Sequence, residues 1–211
     1  MDSMGVIATL SVLVGVSWCA GINLYATVAV LGLMHRYVDG FVLPGTLTAL
    51  SSDWVLWPAI ALYVVEFAAD KIPAVDTAWD AVHTFIRVPA GAILAAMAVA
   101  DVPVELQLFA GLVGGTLALG SHATKTTVRV ASHTTGTSPA ASPALSVAED
   151  VLVAGTLGVM VANPLLTLAL ALLAMVVSWF LMRSLWRVAC GVWRRFRRGD
   201  TAPPATEPAA P

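Results

Sequence analysis

The chain has 211 residues, of which 58% are hydrophobic and only 11% are charged, and its mean hydropathy is +0.84. Soluble domains carry about 25% charged residues, so this chain lacks the polar groups needed to cover a water-facing surface. A net charge of −2 gives no electrostatic basis for binding nucleic acid. The two cysteines, Cys19 and Cys190, form no CxxC motif, which argues against a zinc ribbon or a disulfide framework. The composition therefore indicates an integral membrane protein.

The first apolar segment, residues 5–33, is predicted to be a retained transmembrane helix. Residues 4–34 contain no Asp, Glu, Lys or Arg, and this run is longer than the roughly 7–15 residues of a secretory h-region. No basic residue precedes it, which also argues against a signal peptide. We therefore expect this segment to cross the bilayer.

Five further segments have lengths that fit the roughly 17–25 apolar residues of a membrane-spanning helix. They cover residues 54–70, 81–100, 104–125, 146–162 and 165–182. Ser52 is expected to cap the first of these, and a capping box of Ser146 and Glu149 is expected to begin the fourth. The last two are separated by Asn163 and the proline that follows it.

These segments predict an all-α membrane protein with about six transmembrane helices in a single membrane domain, residues 1–198. The proline- and alanine-rich stretch 199–211 is predicted to be a disordered tail. Because six short helices enclose little volume, we expect a homodimer if the protein contains a transport pathway.

The distribution of Lys and Arg predicts the orientation of these segments. With a cytoplasmic N-terminus, only Arg36 of the 11 basic residues falls on the outer side. We therefore expect both termini in the cytoplasm and the chain in a bacterial inner (plasma) membrane. Three tryptophans, Trp179, Trp186 and Trp193, recur every seven residues among the C-terminal arginines. This pattern is typical of a helix that contacts anionic lipids at the interface, although a plain positive-inside anchor also explains it.

A weak internal repeat is visible at an offset of 99 residues. It aligns Gly15 with Gly114, Gly21 with Gly120 and Thr27 with Thr126. We interpret it as two inverted three-helix halves, residues 5–100 and 104–190, because an odd number of spans inverts the second half. Inverted repeats are a common plan of transporters. Chance similarity between two glycine-rich apolar helices is the alternative.

Ionisable side chains are concentrated at the predicted cytoplasmic ends of the segments, where burial is costly and therefore informative. Their helical spacing places them on a few shared faces. The candidate binding residues are Asn23, Tyr25, Glu66, Asp70, Lys71, Asp76, Asp80, His83, Arg87, His122, Lys125, Arg129, Glu149 and Asp150.

Three interpretations of this polar set remain open. It is a salt-bridge network that locks helix ends together, or a site at which carboxylates bind a cation or Lys125 and Arg129 bind an anion. The third interpretation is a catalytic site with Asp76, Asp80 and His83 as metal ligands or acid–base groups. No standard hydrolase or nucleotide-binding motif is present.

We favour a small transporter or permease-like protein, with no cofactor beyond a bound cation. A structural or assembly protein is the alternative, and a membrane-embedded metal-dependent enzyme is the third hypothesis.

Six stretches carry a resemblance to a known family. They are Gly21-Ile22-Asn23-Leu24-Tyr25-Ala26-Thr27, Glu66-Phe67-Ala68-Ala69-Asp70-Lys71-Ile72-Pro73, Asp76-Thr77-Ala78-Trp79-Asp80, His83-Thr84-Phe85-Ile86-Arg87, Ser121-His122-Ala123-Thr124-Lys125 and Ser146-Val147-Ala148-Glu149-Asp150. Over about residues 5–185 the chain resembles the uncharacterised bacterial membrane family of domain of unknown function 4126. The resemblance implies a multi-spanning membrane protein and no particular activity.

Overall fold

The computed structural model describes residues 3–134 and 141–199, and within these two ranges the chain forms helices and no strand. The α-helices are α1 (Ser3–Ile22), α2 (Leu24–Tyr37), α3 (Asp53–Ala69), α4 (Pro73–Ala98), α5 (Val104–Thr134), α6 (Ala141–Ala162) and α7 (Pro164–Gly199). A 3-10 helix, Gly45–Ser51, precedes α3. Apart from Gly199, the predicted disordered tail lies outside the described residues.

Five of the described helices, α1 and α4 to α7, are each long and apolar enough to cross a membrane. A sixth span results if the 3-10 helix and α3, which are bent by 66° relative to each other, count as one. The predicted all-helical membrane fold is thus confirmed, with five to six candidate spans.

The structure differs from the prediction in the first segment, which forms two helices rather than one span over residues 5–33. Asn23 separates α1 from α2 and has an extended backbone, with φ −144° and ψ 99°. Its side-chain Oδ1 accepts a hydrogen bond from the Ala26 N–H at 3.0 Å. Because this side chain caps the new helix, α2 begins after a break of only one residue.

Helices α1 and α5 pack side by side and run in the same direction. Near the end of α1, the Ile22 carbonyl accepts a hydrogen bond from Lys125 of α5 at 3.1 Å. Near the start of α1, Val6 lines an apolar cavity together with Leu106, in the first turn of α5. The repeat at an offset of 99 pairs these same two helices and requires them to be antiparallel, so the inverted repeat is not confirmed.

Helix α2 runs back towards the end of the bundle at which α1 begins. At its last turn, Arg36 pairs with Asp53 of α3 at 2.6 Å. The 3-10 helix that follows starts at Gly45, where an added Cβ would lie only 2.2 Å from the Met97 carbonyl oxygen near the end of α4. The opposite end of the bundle, where α3 and α5 end and α4 and α6 begin, is called here the charged end.

The predicted starts at residues 54, 104 and 165 agree with the structure to within one residue, whereas α4 begins before residue 81, and α5 and α7 extend beyond residues 125 and 182. Helix α3 begins directly after Ser52, although the Ser52 side chain makes no capping hydrogen bond. Helix α6 begins at Ala141, so the predicted capping box is wrong. Ser146 and Glu149 lie inside α6, where their side chains bind Asp70 and Arg129 instead of the helix N-terminus.

Small residues allow α1, α4 and α5 to pack closely, as is common between membrane helices. A Cβ on Gly114 would lie 2.3 Å from the Ala95 Cβ, and one on Gly91 would lie 2.4 Å from the Ala118 Cβ. The outer surface is largely apolar, and Phe85 is 82% exposed there. Such a surface suits contact with lipid.

Candidate functional site: a buried charge cluster

Charged side chains from α3, α4, α5 and α6 meet at the charged end and form what is called here the charge cluster. Its carboxylates are Glu66, Asp70, Asp80, Glu149 and Asp150, and its cations are Arg87, Lys125 and Arg129. Glu66 and Arg87 have no exposed surface. Helical spacing therefore identified side chains that the fold brings together, although their ligand-binding role stays a prediction.

Arg87 joins α3, α4 and α5 through its guanidinium group. It pairs with Glu66 and, at 3.0 Å, with Asp80. It also lies 3.0 Å from Nδ1 of His122. Because arginine can only donate, this ring nitrogen is the acceptor, and the Nε2–H of His122 donates to the Thr84 hydroxyl at 2.7 Å. The interaction with Arg87 thus fixes the tautomer of His122.

Lys125 lies between the carboxylates that Arg87 and Arg129 bind. Its Nζ is 3.2 Å from Glu149, 3.5 Å from Asp80 and 3.6 Å from Glu66. The Ile22 carbonyl, 3.1 Å away, completes a shell of four oxygen acceptors from four helices.

The break at Asn23 makes the Ile22 carbonyl available to Lys125. In an uninterrupted helix this carbonyl would accept the N–H of Ala26, four residues later. That N–H is bound to the Asn23 side chain instead. An orphaned backbone acceptor is costly in an apolar environment, and the ammonium group of Lys125 satisfies it.

Arg129 binds Asp70 and Glu149 together. Its Nη2 lies 3.0 Å from Asp70 and 2.6 Å from Glu149. Ser146 also donates to Asp70 at 2.9 Å.

Asp150 occupies a different environment within the cluster. It accepts hydrogen bonds from Asn23 at 3.0 Å and from the Tyr63 hydroxyl at 2.9 Å. No Lys or Arg in the described part of the chain forms an ion pair with it. Within the described ranges, its negative charge is therefore compensated by neutral donors.

Tyr25 and His83 form a second polar contact beside the cluster. The Nδ1 of His83 faces the Trp79 carbonyl at 2.8 Å and must donate to it, so Nε2 accepts the Tyr25 hydroxyl proton at 3.0 Å. The imidazole also stacks on the Trp79 ring, with centroids 4.3 Å apart.

Of the other predicted site residues, Lys71 does not contact the cluster. Lys71 is exposed and donates to the Phe67 carbonyl at 2.9 Å. The side chain of Asp76 lies outside the described residues. Conversely, the candidate set omitted Tyr63 and Ser146, which lie three residues before Glu66 and Glu149 respectively and therefore share a helix face with them.

The metal-dependent hypothesis gains no support from the described residues, which include no group of three or more His, Cys, Asp or Glu side chains able to hold a metal ion. Asp80 is bound to Arg87, whereas His83 is bound to Tyr25. The two side chains therefore engage different partners.

Some polar atoms of the cluster have no hydrogen-bond partner among the described residues, and its carboxylates outnumber its cations. Glu66 Oε2 and Arg87 Nε are buried without a hydrogen-bond partner among the described residues. Among the described residues, five carboxylates of the cluster face three cations, so full ionisation would leave two excess negative charges at the charged end. Cations or protons are the species that this arrangement could take up.

Comparisons with known proteins identify the family and nothing finer. No curated protein and no solved structure matches the chain. The family model described as "Domain of unknown function (DUF4126)" matches residues 10–184. With most of its length covered by that match, the chain belongs to the DUF4126 family.

Proposed function

We propose that this protein is a small membrane transporter that binds a cation, as substrate or coupling ion, within the charge cluster. The observation that carries the proposal is the surroundings of Lys125, whose ammonium group lies among three carboxylates and the carbonyl released at the end of α1. Transporters commonly bind coupling cations with carbonyls at helix interruptions. Lys125 therefore occupies the kind of position that a bound cation would take.

The charge balance supports uptake of positive charge. Unpaired charge is expensive within a membrane, and the described cluster has two more carboxylates than cations. In the described part of the chain, one carboxylate oxygen of Glu66 has no hydrogen-bond partner, and Asp150 has no cationic partner. A bound cation or proton would remove this imbalance.

Lys125 is suited to exchange with such a cation. Lysine carries a compact charge on a flexible stem, unlike the rigid fork of arginine. In the proposed cycle the ammonium group and the transported cation alternate at Glu66 and Glu149. Arg87 and Arg129 hold the surrounding helices in place through their bonds to Asp80 and Asp70.

A structural or assembly role is the second candidate function. The observation that favours it is that each of the three cations pairs with carboxylates on other helices, so that the cluster ties α3, α4, α5 and α6 together. In this case the charges would only lock the bundle.

Proton flux in proteoliposomes tests the proposal. Purified protein is reconstituted with a pH-sensitive dye in the lumen, sodium, potassium or methylammonium chloride is added outside, and the response of protein-free liposomes is subtracted. We expect at least one of these cations to change the lumenal pH with the wild type, and Glu66→Gln to abolish the response. The matched control is Asp53→Asn, in the exposed pair with Arg36, which should keep it.

Absence of a response to all three cations in the wild type would reject this proposal and leave the structural role. An equal response in Glu66→Gln and in the wild type would also reject it, because the flux would then bypass the cluster.

We further propose that the last part of α7 contacts anionic lipid at the charged end and that the protein forms homodimers. Trp179, Arg183, Trp186 and Arg187 are exposed, which supports a lipid-facing role for them. Native mass spectrometry would report bound lipid and subunit number together. A monomer without retained anionic lipid would contradict both proposals.

A further inference from the structure

We infer that an amphiphilic organic cation reaches the charge cluster directly from the bilayer, through a lateral opening between α5 and α6 beside Trp18. The inference rests on the proposed function and names the substrate class of the same site. It is carried by the apolar cavities around Trp18 and by their connection to charged residues.

Three cavities meet at the Trp18 side chain. One of about 280 Å³ lies between α1, α6 and α7, and one of about 320 Å³ lies between α1, α5 and α7. The third, of about 220 Å³, lies between α1, α5 and α6. Leu152 lines the first and the third, and Ser121 lines the second and the third. The cavities thus form one branched groove, here called the Trp18 groove.

The Trp18 groove connects the lipid-facing surface with the charge cluster. Val128 and Leu152, on the two sides of the third cavity, are 41% and 47% exposed. At its inner side the same cavity is lined by Lys125 and Glu149. An apolar body could therefore stay in the groove while an attached charge reaches the cluster.

Trp18 provides a surface that suits a cation. Tryptophan has the strongest cation–π attraction of the aromatic side chains. The Nε1–H of Trp18 is buried without a hydrogen-bond partner among the described residues, so no hydrogen bond fixes the ring. An occupant that packs on the indole would therefore break no hydrogen bond of the ring.

The sign of the charge follows from the balance of the cluster. At the inner side of the groove, Lys125 and Glu149 pair with each other, so their opposite charges largely cancel. The excess of carboxylates among the described residues beyond them then decides the sign, because it attracts a cationic head group and repels an anionic one. A small inorganic ion has no apolar part to place in the groove, whereas an amphiphilic cation uses both the groove and the cluster.

Two ions of the same shape and opposite charge test this inference. Binding of tetraphenylphosphonium and tetraphenylborate to the full-length protein in lipid nanodiscs is measured by equilibrium dialysis, with empty nanodiscs as the baseline. We expect saturable binding of the phosphonium ion only. Trp18→Leu should weaken it about 10-fold, and Trp18→Phe, which keeps an aromatic ring, should weaken it less. Trp54→Leu, at an exposed position outside the groove, should leave it unchanged.

Equal binding of both ions would overturn the inference and indicate a groove filled by lipid chains. Unchanged phosphonium binding in Trp18→Leu would overturn it as well. These failures are distinguishable from failure of the proposed function, because sodium, potassium or methylammonium would still drive proton flux in proteoliposomes.

Discussion

Lys125 is surrounded by four oxygen acceptors, and its removal would leave them facing one another. We expect Lys125→Ala to lower the unfolding temperature in detergent and to make it depend on added cations, because Na⁺ or K⁺ can enter the vacated position. Choline chloride at equal concentration should not restore stability, since choline is too large for that position. Thermal unfolding in the three salts measures this.

The control for this prediction is Lys71→Ala, which removes an exposed lysine from the end of the same bundle. It should leave both the unfolding temperature and its salt dependence unchanged. A Lys125→Ala variant that is destabilised equally in all three salts would show that the site accepts no cation other than the lysine.

Glu66 pairs with Arg87 and Lys125 but not with Arg129, and this selectivity predicts the outcome of double substitutions. Breaking a buried ion pair on one side typically costs about 3–5 kcal/mol, because the remaining charge is stranded. Glu66→Gln should therefore lower the unfolding temperature, and adding Lys125→Met should restore part of the loss. Adding Arg129→Met should not restore the unfolding temperature, because Arg129 pairs with Asp70 and Glu149.

The unfolding temperatures of the wild type and of the single and double variants test this prediction as a double-mutant cycle. Equal rescue by both second substitutions would mean that the cluster responds only to its total charge and not to the pairs seen here.

At the level of the helices, two asparagines interrupt the chain in the same way. The side chains of Asn23 and Asn163 accept the N–H of the third residue onward, and their carbonyls accept the N–H of the threonine four residues onward. The second break was predicted because Pro164 follows it. The first was missed because only apolar residues flank Asn23, and the spacing between asparagine and threonine is by itself a weak signal.

The two asparagines differ in what else they bind, which makes them a matched pair. Asn23→Ala removes a helix cap and also a donor to Asp150, whereas Asn163→Ala removes an exposed cap alone. Loss of a cap costs about 1 kcal/mol. We expect Asn163→Ala to lower the unfolding temperature slightly and Asn23→Ala to lower it clearly more. Equal shifts would mean that the bond to Asp150 contributes nothing.

The close packing of α1 on α5 depends on Gly21. A Cβ there would lie 2.0 Å from the Ser121 Oγ and 2.2 Å from the Ala118 carbonyl oxygen. Because the second contact is with backbone, a side-chain movement alone cannot relieve it. Gly21→Ala should therefore destabilise the protein by about 1–3 kcal/mol, the usual cost of overpacking. Gly120→Ala on α5, where an added Cβ meets nothing within 4 Å, is the control and should be neutral or stabilising in a thermal unfolding assay.

For the whole molecule, the sequence predicted which polar residues gather but not how they pair. Helical spacing places Glu66 with Asp70 and Asp80 with Arg87 on shared faces, and burial is costly enough that such faces must meet other polar groups. The partner of each charge depends on how neighbouring helices are shifted along their axes relative to each other, and helical periodicity does not predict this shift. The pairing of Ser146 with Asp70 is an example of a contact that could not be predicted, because α6 begins earlier than the capping signal indicated.

The sequence also does not determine on which side of the membrane the N-terminus lies. The positive-inside count depends on basic residues, and residues 4–34 contain none. Placing the first residues on either side of the membrane therefore leaves the count unchanged. Only the break at Asn23 distinguishes the two arrangements, because it adds a helix that returns to the end at which α1 begins.

Labelling of single cysteines with a membrane-impermeant maleimide tests this arrangement in intact cells. The variants are Met4→Cys, Asp39→Cys, Asp101→Cys and Arg187→Cys, each in a Cys190→Ser background that keeps the fully buried Cys19. Since Val6 and Leu106 line one cavity and Gly45 lies against Met97, we expect the first three cysteines to be labelled from the same side. The cysteine at position 187, near the charged end, should be labelled only after permeabilisation. Labelling of Met4→Cys together with Arg187→Cys would instead support a single span over residues 5–33 with both termini in the cytoplasm, and the reversal at Asn23 would be wrong.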